Sequence, residues 1–75
     1  MNLIELLPGQ EATVTRIIKG EAARIRLLAM GITPGSSIVV LARHPFRGPV
    51  TIAVGNTRIA IGRELASAIE VDPKV

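Results

Sequence analysis

The sequence predicts a mainly β fold, a small barrel of about five strands with one short α-helix inserted between the first and second strands. Several short stretches alternate aliphatic and polar residues, as strands with one buried face do. Gly55-Asn56 separates two such stretches as a hairpin turn, and Gly20 and Gly31 flank a stretch of helix-forming residues. The 75 residues are 48% apolar, with a single aromatic, which predicts one domain, residues 1–75, around an aliphatic core.

The first third of the chain predicts an apolar lead-in, a strand and a helix. Leu3 to Leu7 is the lead-in, and the Pro8-Gly9 turn ends it. Glu11 to Ile18 is rich in β-branched residues and predicts the first strand. Arg16 falls on the apolar side of this strand, so either the strand bulges there or the side chain extends to solvent. Glu21 to Met30 predicts the helix from its Glu, Ala, Arg, Leu and Met content.

Glycine and proline define the exit from this helix. Gly31 follows Met30 as a C′ residue, where a left-handed conformation ends many helices. Pro34-Gly35 fits the two central positions of a type II turn, since proline fixes φ and glycine accepts a positive φ. Leu7-Pro8-Gly9 repeats this pattern before the first strand. Ser37 to Arg43 predicts the second strand.

The hairpin Val50 to Ile61 has a strongly specified register. A type II′ turn at Gly55-Asn56 places the large aliphatic residues on one face. The expected cross-strand pairs are Val54 with Thr57, Ile52 with Ile59, and Val50 with Ile61. Arg63 to Ala68 predicts one helical turn and Ile69 to Val71 a short closing strand, and a closed barrel of these strands would leave no free edge.

Catalytic and metal-binding residues are sparse. The chain has one His, one Asp, five Glu and no Cys, which excludes thiolate zinc sites and disulfides. His44 lies beside Pro45 in a loop, where a solvated side chain is the expected state. Glu70 and Asp72 share one face of the last strand and could contact a hard cation weakly. We therefore expect no enzyme, no catalytic residue and no cofactor, and weak transition-metal binding remains an alternative.

The charge balance allows a second alternative, a small basic barrel that binds RNA or DNA. The net charge is +3 and the sequence pI is about 10.7. Binders of single strands, however, stack bases on several aromatic side chains, and Phe46 is the only one here. No nucleic acid is therefore expected as the partner. Met1 to Leu7 lacks the features of a signal peptide, and the longest apolar run is far below the ~20 residues of a membrane span, so a cytoplasmic protein is expected.

The predicted helix is apolar on nearly all sides, which a protein this small cannot bury completely. One interpretation is that Ile25, Leu28 and Ala29 seal the barrel and the remaining apolar residues are scattered on the surface. The other is a protein interface formed by Leu27, Met30 and Ile32, with Arg24 beside them. Under the second interpretation, glutamate at position 27 or 30 should leave the fold intact, whereas Leu28→Glu should unfold it.

Several segments together resemble the FeoA (ferrous iron transport protein A) family. They are the Leu3–Leu7 lead-in, Pro8-Gly9, the strand around Val14, the block Arg26-Leu27-Leu28-Ala29-Met30-Gly31-Ile32-Thr33-Pro34-Gly35, Gly48-Pro49-Val50, and Ile59-Ala60-Ile61-Gly62-Arg63-Glu64-Leu65-Ala66. The resemblance spans almost the whole chain, and the helix-to-turn block is its most specific part. The chain is also similar to the C-terminal domain of bacterial iron-dependent repressors, without the DNA-binding half that those proteins carry.

The resemblance implies an SH3-like barrel in the bacterial cytoplasm. It also implies an accessory or regulatory role in ferrous iron uptake, through contact with the membrane transporter FeoB and its GTP-binding part. Association with the membrane would then occur only through that partner, and self-association is left open. Transition-metal binding is a property associated with the family, but no ligand cluster in this sequence supports it.

Overall fold

The computed structural model describes residues 1–46 and 48–74, and these form five strands, two α-helices and one 3-10 helix. The strands are β1 (Glu11–Ile17), β2 (Ser37–Arg43), β3 (Val50–Val54), β4 (Thr57–Ile61) and β5 (Ile69–Pro73); the helices are the 3-10 helix (Leu3–Glu5), α1 (Glu21–Ala29) and α2 (Arg63–Ala66). The predicted order of elements is therefore confirmed, including the helix between the first two strands.

The strands form one antiparallel sheet in the order β4-β3-β2-β1-β5. The outer edge of β5 is covered by the start of the chain, where the Val71 N–H donates to the Met1 carbonyl (2.7 Å) and Asn2 forms a bridge with Glu70. In the described ranges β4 pairs only with β3, so its other edge is free. The expectation that the barrel removes every edge is therefore wrong at β4.

The hairpin between β3 and β4 has the predicted register. Val54 pairs with Thr57, Ile52 with Ile59 and Val50 with Ile61. Gly55 takes a φ of +59° and Asn56 does not take a positive φ, as a type II′ turn requires. The alternation of the strands and the turn specify the same register, which is why the sequence predicts this element so well.

Two type II turns hold the strands at their ends. The Ser36 N–H donates to the Thr33 carbonyl (2.9 Å) across Pro34-Gly35, and Gly35 has a φ of +96°. The Gly35 N–H also donates to the Val14 carbonyl (2.7 Å) in β1, so the turn adds a main-chain bond to the sheet. The predicted turn is confirmed, and it connects to the sheet as well as reversing the chain. The Leu7–Gln10 turn has the same form, with a 3.0 Å hydrogen bond.

The buried core is aliphatic, as predicted, and it is enclosed by the sheet, α1, α2 and the lead-in. Its members are Leu3, Leu6, Ala12, Val14, Leu27, Ile32, Ile38, Val40, Val50, Ile52, Ile61, Ala66, Ala68, Ile69 and Val71. The register of β1 against β5 shifts between Val14 and Arg16, and Arg16 is exposed, so the bulge expected at this arginine is confirmed.

Gly31 ends α1 in the left-handed conformation, with a φ of +83°. We expect Gly31→Ala to lower the free energy of unfolding by about 1–2 kcal/mol, because a Cβ disfavours this conformation. Gly62→Ala is the matched control, since Gly62 has a φ of −57° and a methyl group added at either glycine would meet no atom beyond its chain neighbours within 4 Å. Urea denaturation of both variants measures the difference; equal stability of the two would contradict the role of the positive φ.

Candidate partner-binding groove

Two of the residues predicted to form the partner interface lie in the core instead. Leu27 is 0% exposed and Ile32 is 1% exposed, so neither can meet a partner without unfolding. Their placement follows from the end of α1, where the Ile32 N–H donates to the Leu27 carbonyl (2.9 Å) and the Gly31 N–H to the Leu28 carbonyl (2.9 Å). This pair of bonds is the Schellman motif, which commonly buries the residues at these two positions together. Gly31 was therefore the signal in the sequence that could have placed Leu27 and Ile32 inside.

The residues predicted to seal the barrel lie on the outside of α1. Ile25 is 55% exposed and Leu28 is 52% exposed, and Ala29 is exposed as well. The expectation that Leu28 fills the core is therefore wrong. Leu27 is the single fully buried residue of α1, with Ala23 and Met30 partly buried against the core.

Arg24 lies on the solvent-facing side of α1, where its guanidinium forms an ion pair and hydrogen bonds with the Glu21 carboxylate. The hydrogen bond and the positive charge lower the pKa of Glu21. A lowered carboxyl pKa stabilises the fold at pH values above the ordinary pKa of glutamate. This contribution is lost as the pH falls through the pKa that the carboxyl group has in the folded state. Because both side chains are more than half exposed, solvent screens the pair strongly.

Met30 is the predicted interface residue that borders a surface groove. The groove has a volume of about 710 Å³ and lies between α1, the end of β4 and α2. Its lining residues are Lys19, Ala22, Ala23, Arg26, Met30, Ala60, Ile61, Gly62, Arg63, Glu64, Leu65 and Ala68. Of the four residues proposed from the sequence, Met30 alone belongs to this lining.

The groove exists because small side chains come together from separate elements. Ala22 and Ala23 of α1, Ala60 of β4 and Ala68 after α2 all belong to its lining. The sequence offered no local signal for the groove, since its lining comes from segments that are far apart along the chain.

The charges around the groove are mostly positive. Lys19, Arg26 and Arg63 contribute three cations, and Glu64 is the one carboxylate of the lining. The Lys19 ammonium donates to the Ser67 hydroxyl, which holds it beside α2. An apolar floor with a basic rim suits a partner segment that is apolar and acidic.

The titratable side chains named as candidate metal contacts lie apart from one another or are exposed in the described part of the chain. No cluster of three or more His, Cys, Asp or Glu side chains occurs in the described ranges. Glu70 accepts a hydrogen bond from the Asn2 side chain (3.1 Å), while His44 and Asp72 are exposed. No helix in the described part of the chain is both long and apolar enough to cross a membrane.

Comparison with known proteins identifies the family. The model of the FeoA domain matches residues 1–73. The chain belongs to the FeoA family. The putative Fe(2+) transport protein A of Methanocaldococcus jannaschii is 42% identical over 64 residues, which cover 85% of this chain and 76% of that protein.

A second FeoA relative joins this region to a transporter. It is the Fe(2+) transport protein A/Fe(2+) transporter FeoB fusion protein of Porphyromonas gingivalis, 35% identical over 72 residues. The match covers 96% of this chain but spans only 8% of the fusion protein.

Solved FeoA structures share the fold. The crystal structure of an iron uptake regulatory protein (FeoA) gives a TM-score of 0.92 at 43% identity, over 99% of this chain and 97% of that one. Stenotrophomonas maltophilia FeoA complexed with zinc, described as a procaryotic SH3 domain protein, gives 0.80 at 29% identity, over 96% and 89%. The expected SH3-like fold is confirmed.

The similarity to metal-dependent repressors is confirmed too. A manganese-dependent transcriptional repressor is 30% identical, with a TM-score of 0.85, over 95% of this chain and 40% of that one.

Proposed function

We propose that this FeoA-family chain is a small cytosolic accessory protein of ferrous iron uptake that acts by binding an FeoB-type transporter through its cytosolic part. The observation that carries the proposal is the fusion relative, in which a region similar to this chain is covalently joined to an FeoB transporter. Covalent fusion keeps two modules at high effective concentration, which is useful when they work as one assembly. Where the two modules are separate chains, the same association depends on their affinity.

The groove between α1, β4 and α2 is the surface that we assign to this contact. It offers partly buried apolar side chains, Met30 and Leu65, beside the rim cations Arg26 and Arg63. A partner side chain that enters the groove would be desolvated at its centre and would meet charge at its edge, the usual arrangement of a binding hot spot. The exposed Ile25 and Leu28 do not belong to the lining of this groove.

Capture on immobilised protein tests the proposal. Full-length FeoB in detergent and its isolated nucleotide-binding part should both be retained, and an unrelated membrane transporter should not. Retention of full-length FeoB alone would place the contact outside the nucleotide-binding part. Failure to retain either would contradict the proposal.

Two alternatives predict different outcomes in parallel measurements. Binding to RNA or DNA would give an electrophoretic shift, and the logarithm of the binding constant would fall linearly with log[salt]. Phe46, the single aromatic residue, is 99% exposed in a loop and offers one stacking surface. A metal-binding module would take up Fe²⁺ or Zn²⁺ stoichiometrically in calorimetry. We expect no high-affinity metal binding, since the described ranges hold no ligand cluster. We expect no high-affinity binding of nucleic acid, since one aromatic residue cannot stack several bases.

A further inference from the structure

The free edge of β4 presents main-chain groups that are ready to pair. Val54 and Thr57 flank a two-residue turn, so they and every second pair after them exchange both hydrogen bonds across the hairpin. Arg58 and Ala60 fall between those pairs, and their N–H and C=O groups therefore point away from β3. Within the described ranges, no other strand or loop pairs with these groups.

This edge and the groove form one continuous surface. Ala60, Ile61 and Gly62 at the end of β4 line the groove, whose other wall is formed by α1. A segment hydrogen-bonded to the edge of β4 would therefore lie beside Arg26 and Met30. Since side chains of a strand alternate in direction, every second residue of that segment would point toward the core side of the sheet, where α1 and the groove lie, and the others toward the face that carries Arg58 and Ala60.

We infer that β4 accepts an additional strand from its partner, an extended segment in which acidic and apolar residues alternate. Main-chain pairing with Arg58 and Ala60 would provide affinity, and the groove would select apolar side chains, as in other cases of strand addition. Charge complementarity favours the acidic residues, because they would point to the face that carries Arg58. The cations around the groove, Lys19, Arg26 and Arg63, outnumber its one carboxylate and add to this preference. The inference rests on the proposed function only for the identity of the protein that supplies the strand.

The test uses the full chain, labelled with ¹⁵N, and a synthetic heptapeptide of alternating Glu and Leu. When nine-tenths of the protein is bound, amide exchange at Arg58 and Ala60 should slow about tenfold, because only the free tenth exchanges. The exchange at Thr57 and Ile59, whose N–H groups point to β3, should change much less. Binding should weaken as salt is added.

Two controls isolate main-chain pairing. A heptapeptide of the same sequence with alternate amides N-methylated, so that the pairing edge has no donors, should lose the protection while it keeps its charge and its leucines. The variant Ala60→Pro should lose the protection as well, because proline has no N–H to donate to the peptide. The fold should be kept, since proline is accepted at outward-facing positions of edge strands. Its fold is checked by its NMR spectrum, and the N-methylated peptide provides the test on the unchanged protein.

Each other outcome would overturn the inference. No binding, equal binding of the N-methylated peptide, or groove shifts without protection of Arg58 and Ala60 would exclude strand addition. Protection of these amides before peptide is added, with a dimeric mass by sedimentation, would assign the edge to a second copy of this chain. Capture of FeoB is measured separately, so a chain that retains FeoB but does not pair with the peptide refutes the strand and not the function.

Discussion

Leu27→Glu is expected to unfold the protein, whereas Leu28→Glu, one position further along the same helix, should leave it folded. Leu27 is fully buried and belongs to the core cluster. Loss of a buried leucine alone costs about 2–5 kcal/mol, and a carboxyl group in its place must be desolvated or protonated as well. The total approaches the whole stability of a chain this size, roughly 4–11 kcal/mol at typical values per residue.

Leu28 is half exposed, and substitutions at exposed positions usually change stability by no more than ~0.5 kcal/mol. Urea denaturation followed by circular dichroism measures both variants. Leu27→Met is the control for polarity, because it keeps the volume and should cost less than about 1.5 kcal/mol. A folded Leu27→Glu beside an unfolded Leu28→Glu would mean that α1 is rotated about its axis, with Leu28 rather than Leu27 facing the core.

The strands were predictable because independent signals agree on them. In the β3–β4 hairpin, the alternation of Ile52 and Ile59 with polar or small residues and the chemistry of Gly55-Asn56 specify one register. In β1, Arg16 interrupts the alternation, and the bulge expected from that conflict is present. A pattern with period two leaves only two choices of face, and a single buried aliphatic residue decides between them.

The orientation of α1 was not predictable from periodicity, because the helix carries apolar residues on nearly all of its sides. Leu27 and Leu28 are neighbours in sequence and equal in hydropathy, yet one is buried and the other half exposed. Only the end of the helix distinguished them, since Gly31 as the C′ residue pairs Ile32 with Leu27 through the Schellman motif. The buried face of this helix is thus better predicted from its C-terminal cap than from the distribution of apolar residues around the helix.

The groove and the free edge are properties of tertiary structure. The groove is lined by residues of α1, β4 and α2, such as Ala22, Ala60 and Leu65, and no short stretch of sequence contains them all. The free edge depends on whether β4 reaches β5, and α2 intervenes between them in sequence. Alternation and turn residues could predict five strands, but they could not predict whether the last two would pair.

Reversing two charges at the groove should abolish the capture of FeoB, while a matched reversal on the other side of α1 should not. Arg26 and Arg63 border the groove, and the variant carrying both Arg26→Glu and Arg63→Glu would place two carboxylates beside the existing Glu64. Like charges brought together in an interface cost several kcal/mol. We therefore expect capture to weaken by about 100-fold or more, equivalent to about 2.7 kcal/mol.

Arg24→Glu is the matched control, since it makes the same change two residues before Arg26 on the solvent-facing side of α1. It removes an exposed ion pair with Glu21, which solvent screens strongly, and it leaves the lining of the groove unchanged. Ala22→Leu separates shape from charge, because it fills the groove without altering the rim, and it should also weaken capture. Binding curves against immobilised FeoB, taken with melting curves for each variant, distinguish these effects. If Arg24→Glu weakened capture as much as the double variant, the contact would lie on the outer face of α1, around Ile25 and Leu28, and the groove would be excluded as the binding site.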